Sequence, residues 1–209
     1  MHVLIAPDAF TGTLTATQAA GAIAMGAGEA FLCCGVESMS RVPMMGFNPM
    51  PNPVYARSNP EFYIGMGDTA ENVAERWQIP RAEQEAFALR SQRKAAAAIA
   101  AGRLADEIVP IEGRDGVVDT DGCPRPDTTA EGLAALRPAF AAEGLVTAGT
   151  SSPLTDGASA VLLASDEWAA ERRLPVLAHF VDAETAAVDY VHGDEGLLMA
   201  PTYAVPRLL

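Results

Sequence analysis

The sequence predicts an α/β fold, and three observations carry that prediction. Short apolar runs at 2–7 and 29–36 flank a helical stretch at 15–26, the order of a strand–helix–strand unit with a parallel sheet. A long helical segment, 81–102, ends on Gly102. Hydrophobic residues make up 49% of the chain and charged residues 20%, a globular composition rather than a disordered one.

The elements follow in order. "HVLIAP" (2–7) is an apolar run stopped by Pro7 and reads as a buried strand. "TATQAAGAIAMG" (15–26) reads as a helix that starts near Thr15 or Thr17 and stops near Gly26. "EAFLCCGV" (29–36) is the second strand, and Cys33 and Cys34 within it read as buried, inert thiols. Residues 41–65 form a long irregular loop, because Pro43, Asn48, Pro49, Pro51, Asn52 and Pro53 interrupt any regular pattern. Met44, Met45 and Met50 either fill gaps there or line a binding surface.

Asp68 and Glu71 have the spacing of a capping box ahead of the amphipathic "TAENVAERW" (69–77). Pro80 fits the first turn of the next helix. On that helix Phe87, Ser91, Ala95, Ala98 and Ile99 share a face, while Arg81 and Glu85 are spaced to pair on the other. "DEIVPI" (106–111) reads as an edge strand and 113–122 as a turn-rich hairpin. Thr128 and Glu131 form a second capping box. "LVTAG" (145–149), "AVLLAS" (160–165) and 176–188 read as strands, 166–173 as a helix, and the last ten residues as the start of one.

A formal net charge of −13 argues against nucleic-acid binding, since phosphates are repelled. No run of 18 apolar residues predicts a membrane span, and no signal peptide is expected at the N-terminus. Three cysteines without a framework fit a reducing cytoplasm. Cys123 lies in the polar turn "TDGCPRP" and is expected to be exposed. "DTDG" lacks the spacing of a calcium loop and reads as a turn, and His179 as a satisfied strand histidine.

From about residue 22 the chain resembles the thiolase family of acetyl-CoA acyltransferases, a family of fatty-acid metabolism. The resemblance rests on "GVESMSR" (35–41), "MGDTAENVAERW" (66–77), "RAEQEAFALRSQRKAAAAIAAGRLADEIVPI" (81–111), "TTAEGLAALRPAF" (128–140) and "VTAGTSSPLTDGASAVLLAS" (146–165). Residues 1–26 resemble instead the opening of a glycerate kinase, with threonine at position 11 where that family has lysine. The thiolase resemblance implies a layered α/β core, with 27–60 closing the N-terminal core, a helical loop domain inserted at 61–145, and a return to the core at 146–209.

It also implies acyl transfer between acyl-CoA and CoA, by thiolysis or condensation, with coenzyme A as substrate and no resident cofactor. That chemistry needs a thiolate nucleophile, a base, a second acid/base cysteine and an oxyanion hole. The family's nucleophile falls within 8–17, where this chain has no cysteine. The family's remaining catalytic elements would lie beyond Leu209, so the expectation is a truncated, inactive chain with no catalytic residue. Intact relatives are homo-oligomers, and this chain is expected to need a partner or to aggregate.

Carried over residue by residue, Arg125 corresponds to a contact at the adenine–phosphate end of CoA, Met66 to one beside the pantetheine, and Ser152 to a serine touching it. On the residues alone, Arg125 reads equally as a solvated turn arginine and Ser152 as a loop-capping hydroxyl. Three hypotheses follow: an acyltransferase of this family, a non-catalytic CoA- or partner-binding module, and a glycerate kinase fragment.

Overall fold

The computed structural model describes residues 16–43 and 46–209. The strand expected at 2–7, most of the kinase-like leader, Met44 and Met45 lie outside those residues. The chain divides into two compact units. The first comprises Met1–Pro49, Leu154–Thr185 and Tyr203–Leu209; the second comprises Met50–Pro153 and Ala186–Thr202. The loop domain expected at 61–145 falls within the second unit.

The first unit is built on two long strands. Helix α1 (Ala16–Ala24) ends ahead of Gly26, whose φ of +71° suits a residue without Cβ. Strand β1 (Ala30–Ser38) follows and pairs antiparallel with β4 (Asp156–Ala164), with Cys33 opposite Val161. The pairing described is therefore antiparallel; the expected parallel partner of β1, at 2–7, lies outside the described residues.

Period-2 alternation sorts the side chains of this pair. Cys33 is buried and Phe31, Val161 and Leu163 are half-buried, on the side of α1. Leu32, Val36 and Leu162 lie on the opposite face and are 68%, 57% and 49% exposed. Cys34 belongs to that open face, which corrects the expectation that both adjacent cysteines are buried. Two neighbouring strand residues cannot both point inward when only one face is covered.

After β4, Ser165 caps α6 (Asp166–Glu171) by accepting from the Trp168 N–H at 3.1 Å. The Arg172 guanidinium lies 4.1 Å from the Trp168 ring centre, cation over π face. The strand expected at 176–188 does not form; His179 is exposed, 3.5 Å from Asp166, rather than satisfied within a sheet. Helix α7 (Pro201–Leu208) closes the chain, and its Arg207 reaches Glu184 at 3.3 Å.

The second unit opens with α2 (Tyr55–Ser58) and a 3₁₀ turn over Pro60–Tyr63, where Tyr55 and Phe62 stack. Its centre is α3 (Met66–Arg76), which buries Thr69, Val73 and Ala74. Residue Gly65 precedes it without a side-chain cap, so the expected Asp68–Glu71 capping box does not form. From the far end of α3, Arg76 donates to the Gly193 carbonyl at 3.1 Å and Trp77 Nε1 to the Glu195 carbonyl at 2.9 Å. These bonds dock residues 193–195 on the helix, where Gly196 leaves room for Val73.

Helix α4 (Arg81–Ala100) begins directly after Pro80 and carries the expected Arg81–Glu85 pair. Its apolar face is not covered among the described residues: none of its residues is buried, and Phe87 is 63% exposed. Instead of a strand at 106–111, a 3₁₀ turn at Ala105–Glu107 leads past Pro110, which lacks an N–H for a ladder. The strand begins only after it, as β2 (Ile111–Gly113), paired with β3 (Gly116–Val118) in a short hairpin.

The cap of α5 (Ala130–Ala134) is Thr129, which accepts from the Gly132 N–H at 3.0 Å. Thr128 is not the cap; its hydroxyl donates to the Arg125 carbonyl at 2.7 Å. Residues 145–149 do not extend as a strand either. One bridge links Pro138 and Thr147, and the chain then winds into a 3₁₀ turn, Ala148–Thr150.

Candidate functional site

The candidate site lies in the second unit, where α4 faces the 3₁₀ turn at Ala148–Thr150. A cavity of about 620 Å³ is lined there by Ile79, Phe87, Arg90, Gln92 and, across from them, Gly149 to Ser151. Arg90 lies 4.9 Å from the Phe87 ring centre, which places a cation and an aromatic face together on one wall.

Arg125 is tied to this wall. Its backbone N–H donates to Gln92 Oε1 at 2.8 Å, and its exposed guanidinium donates to the Gly122 carbonyl at 3.4 Å. Thr128 returns to the Arg125 carbonyl, so the Pro-rich turn is fixed at both ends of that residue. The guanidinium keeps donors directed to solvent, where an anion such as a phosphate can approach.

Ser152 is exposed and follows Ser151, the last residue of the opposite wall. Ser151 Oγ donates to the Thr147 carbonyl at 2.8 Å, and the Thr147 N–H donates to Thr150 Oγ1 at 3.0 Å. The turn that presents Ser152 is therefore internally stapled. Thr147 itself is fully buried.

Met66 stands at the first residue of α3 and is 56% exposed. It is not among the residues lining the cavity. None of Arg125, Ser152 and Met66 lines the cavity: Arg125 is bonded through its backbone N–H to Gln92, which does, and Ser152 follows Ser151, which does. The residue the sequence reading missed is Glu71. It was assigned to local capping, yet its carboxylate accepts from the Leu145 and Val146 N–H groups, both at 2.9 Å.

No cysteine is among the residues that line this cavity. Cys33 and Cys34 belong to the first unit, and burial, then the neighbouring Cys34, pushes the Cys33 thiol up. Cys123 is half-buried rather than exposed. None of the three forms a disulfide. Among the described residues, no group of three or more His, Cys, Asp or Glu could hold a metal ion.

A mixed α/β chain with this site finds its place by comparison with known proteins. Residues 9–167 match the family model for the thiolase N-terminal domain. The chain belongs to the thiolase family. It is 41% identical over 212 residues to the 3-ketoacyl-CoA thiolase of Bacillus subtilis, covering 95% of this chain and 53% of that protein. It is 53% identical over 128 residues to the acetyl-CoA acetyltransferase of Paracoccus denitrificans, covering 59% of this chain and 33% of that one.

Among solved structures, the dimeric peroxisomal thiolase of Saccharomyces cerevisiae matches with a TM-score of 0.79 and 36% identity, over 91% of this chain and 49% of that one. Human mitochondrial 3-ketoacyl-CoA thiolase in complex with CoA matches with a TM-score of 0.68 and 33% identity, over 81% and 46%. The chain spans about half the length of the curated relatives it matches. The family match opens at residue 9, earlier than the motifs at about residue 22 and inside the segment that resembles a glycerate kinase.

Proposed function

We propose that this chain handles acyl-CoA thioesters in the manner of the thiolases, with the second unit holding coenzyme A. Arg125 meets the phosphate–adenine end, Ser152 and Met66 meet the pantetheine arm, and CoA enters as substrate. The single observation that supports the reading is the bond from the Arg125 backbone N–H to Gln92, which lines the cavity together with Ser151, the sequence neighbour of Ser152. A guanidinium suits phosphate, and a thioether suits a flexible apolar arm. The names of its relatives, acetyl-CoA acetyltransferases and 3-ketoacyl-CoA thiolases, fit the same substrate class.

The sequence between 8 and 17, where the family's nucleophile falls, has no cysteine. The reading is therefore CoA binding without acyl transfer by this polypeptide. Mixing the purified chain with acetoacetyl-CoA and CoA is expected to give no cleavage above background and no acetyl adduct by mass spectrometry. Thiolysis, or an acetyl group on any of the three thiols, contradicts that. Three cysteines free of disulfides are in keeping with a cytoplasmic setting, and the dimeric yeast relative with self-association.

A further inference from the structure

We propose that Glu71 is a positioning residue for coenzyme A binding: its carboxylate clamps residues 145 and 146 to α3 and so fixes Ser152 relative to Met66. The inference rests on the reading of Arg125, Ser152 and Met66 given above.

Three observations support the clamp. First, the two carboxylate oxygens are divided between two successive backbone donors, Oε2 taking the Leu145 N–H and Oε1 the Val146 N–H, each at 2.9 Å. Those donors belong to a segment whose Val146 and Thr147 are buried, so a lost acceptor leaves an N–H with no ready access to water. Second, the backbone is shaped for this carboxylate. Residue 144 is glycine, and a Cβ there would collide with Glu71 Oε1. Third, the path from the clamp to the cavity has little slack. Thr147, Thr150 and Ser151 are joined by the two bonds already described, and Ser152 follows at once. At the other end, Glu71 lies five residues along α3 from Met66, on one continuous helix.

Carboxylate chemistry explains the choice of residue. An ionised carboxylate is acceptor-only and can serve two N–H groups together. A glutamine has one acceptor oxygen, and its NH₂ would face a backbone N–H, donor against donor. Glu71→Gln therefore loses one bond at constant size, whereas Glu71→Ala leaves both donors without their acceptor.

The test measures CoA affinity and amide hydrogen exchange on the purified chain. Glu71→Gln is expected to weaken CoA binding about tenfold and to speed exchange at Leu145 and Val146. Gly144→Ala should do the same by displacing the carboxylate. Val73→Ala serves as the control, because it loosens the same helix against Gly196 while leaving the Glu71 carboxylate in place. It should lower the melting temperature yet keep CoA affinity within about twofold.

Three results separate the possibilities. If the wild-type chain binds no CoA, the functional reading falls and the clamp's role in binding falls with it. If the wild-type binds and Glu71→Gln binds as tightly, the clamp proposal alone is overturned. If Val73→Ala weakens binding as much as Glu71→Gln at matched loss of stability, Glu71 is merely structural and the proposal is likewise overturned.

Discussion

Ser40 and Asp156 close the far end of the β1–β4 pair. The Ser40 N–H donates to Asp156 Oδ1 at 2.8 Å and the Ser40 hydroxyl to Oδ2 at 2.5 Å. They are separated by 116 residues in sequence, so this contact ties the turn after β1 to the first residue of β4. The bonds hold the Asp156 carboxyl below its ordinary range: the Ser40 hydroxyl first, the Ser40 N–H next, against a small opposing effect of desolvation, with Arg41 assisting.

A carboxylate whose folded pKa is depressed stabilises the fold above its unfolded pKa and loses that contribution as pH falls through the folded one. At neutral pH the Ser40–Asp156 contact is fully present. It should fade only below about pH 3.9. Melting curves recorded from pH 7 downward are expected to show a steeper acid decline for the wild-type than for Asp156→Asn. Parallel declines would show that the contact does not contribute.

Arg81 is a second anchor. Besides Glu85, its guanidinium donates to the carbonyls of Leu133 and Ala134, each at 3.2 Å, and of Leu136, binding the end of α5 to α4. Glu85 is largely buried, so Arg81→Ala leaves both a carboxylate and three carbonyls without this donor. The expected cost is about 2 kcal/mol, seen as a fall in Tm of about 6 °C. A Tm within a degree of wild-type would refute the anchor.

The adjacent thiols should behave differently. Cys34 faces outward, while burial raises the Cys33 thiol away from its reactive thiolate form. Brief alkylation of the native chain at neutral pH, followed by peptide mass spectrometry, is expected to label Cys34 well ahead of Cys33. Equal labelling would place both on an open face.

Part of this architecture was legible in the sequence. The helices at 16–24, 66–76 and 81–100 and the strand at 30–38 follow from apolar runs and from glycines or prolines at their ends, whereas the strand at 156–164 was legible only from residue 160, its small-residue start reading as loop. Strand periodicity alone implies opposite faces for Cys33 and Cys34. Several misreadings arose where a residue with a local signature took another partner. Glu71 has capping-box spacing, but it accepts from N–H groups 74 and 75 residues away. Thr128 had the same signature, yet the next threonine took the cap because Thr128 is held by Arg125. Residues 145–149 look like a strand, but Glu71 occupies the donors of Leu145 and Val146. Arg125 and Ser152 were proposed through family resemblance; nothing in their immediate neighbours signals the bond of Arg125 to Gln92 or the stapled turn ahead of Ser152.

The most direct test of the account is calorimetric titration of coenzyme A into the purified chain and into Arg125→Ala. The account predicts saturable binding to the wild-type, weakened about tenfold in the variant by loss of a charged phosphate contact. An absence of binding heat at several temperatures, or an affinity unchanged by Arg125→Ala, would contradict it.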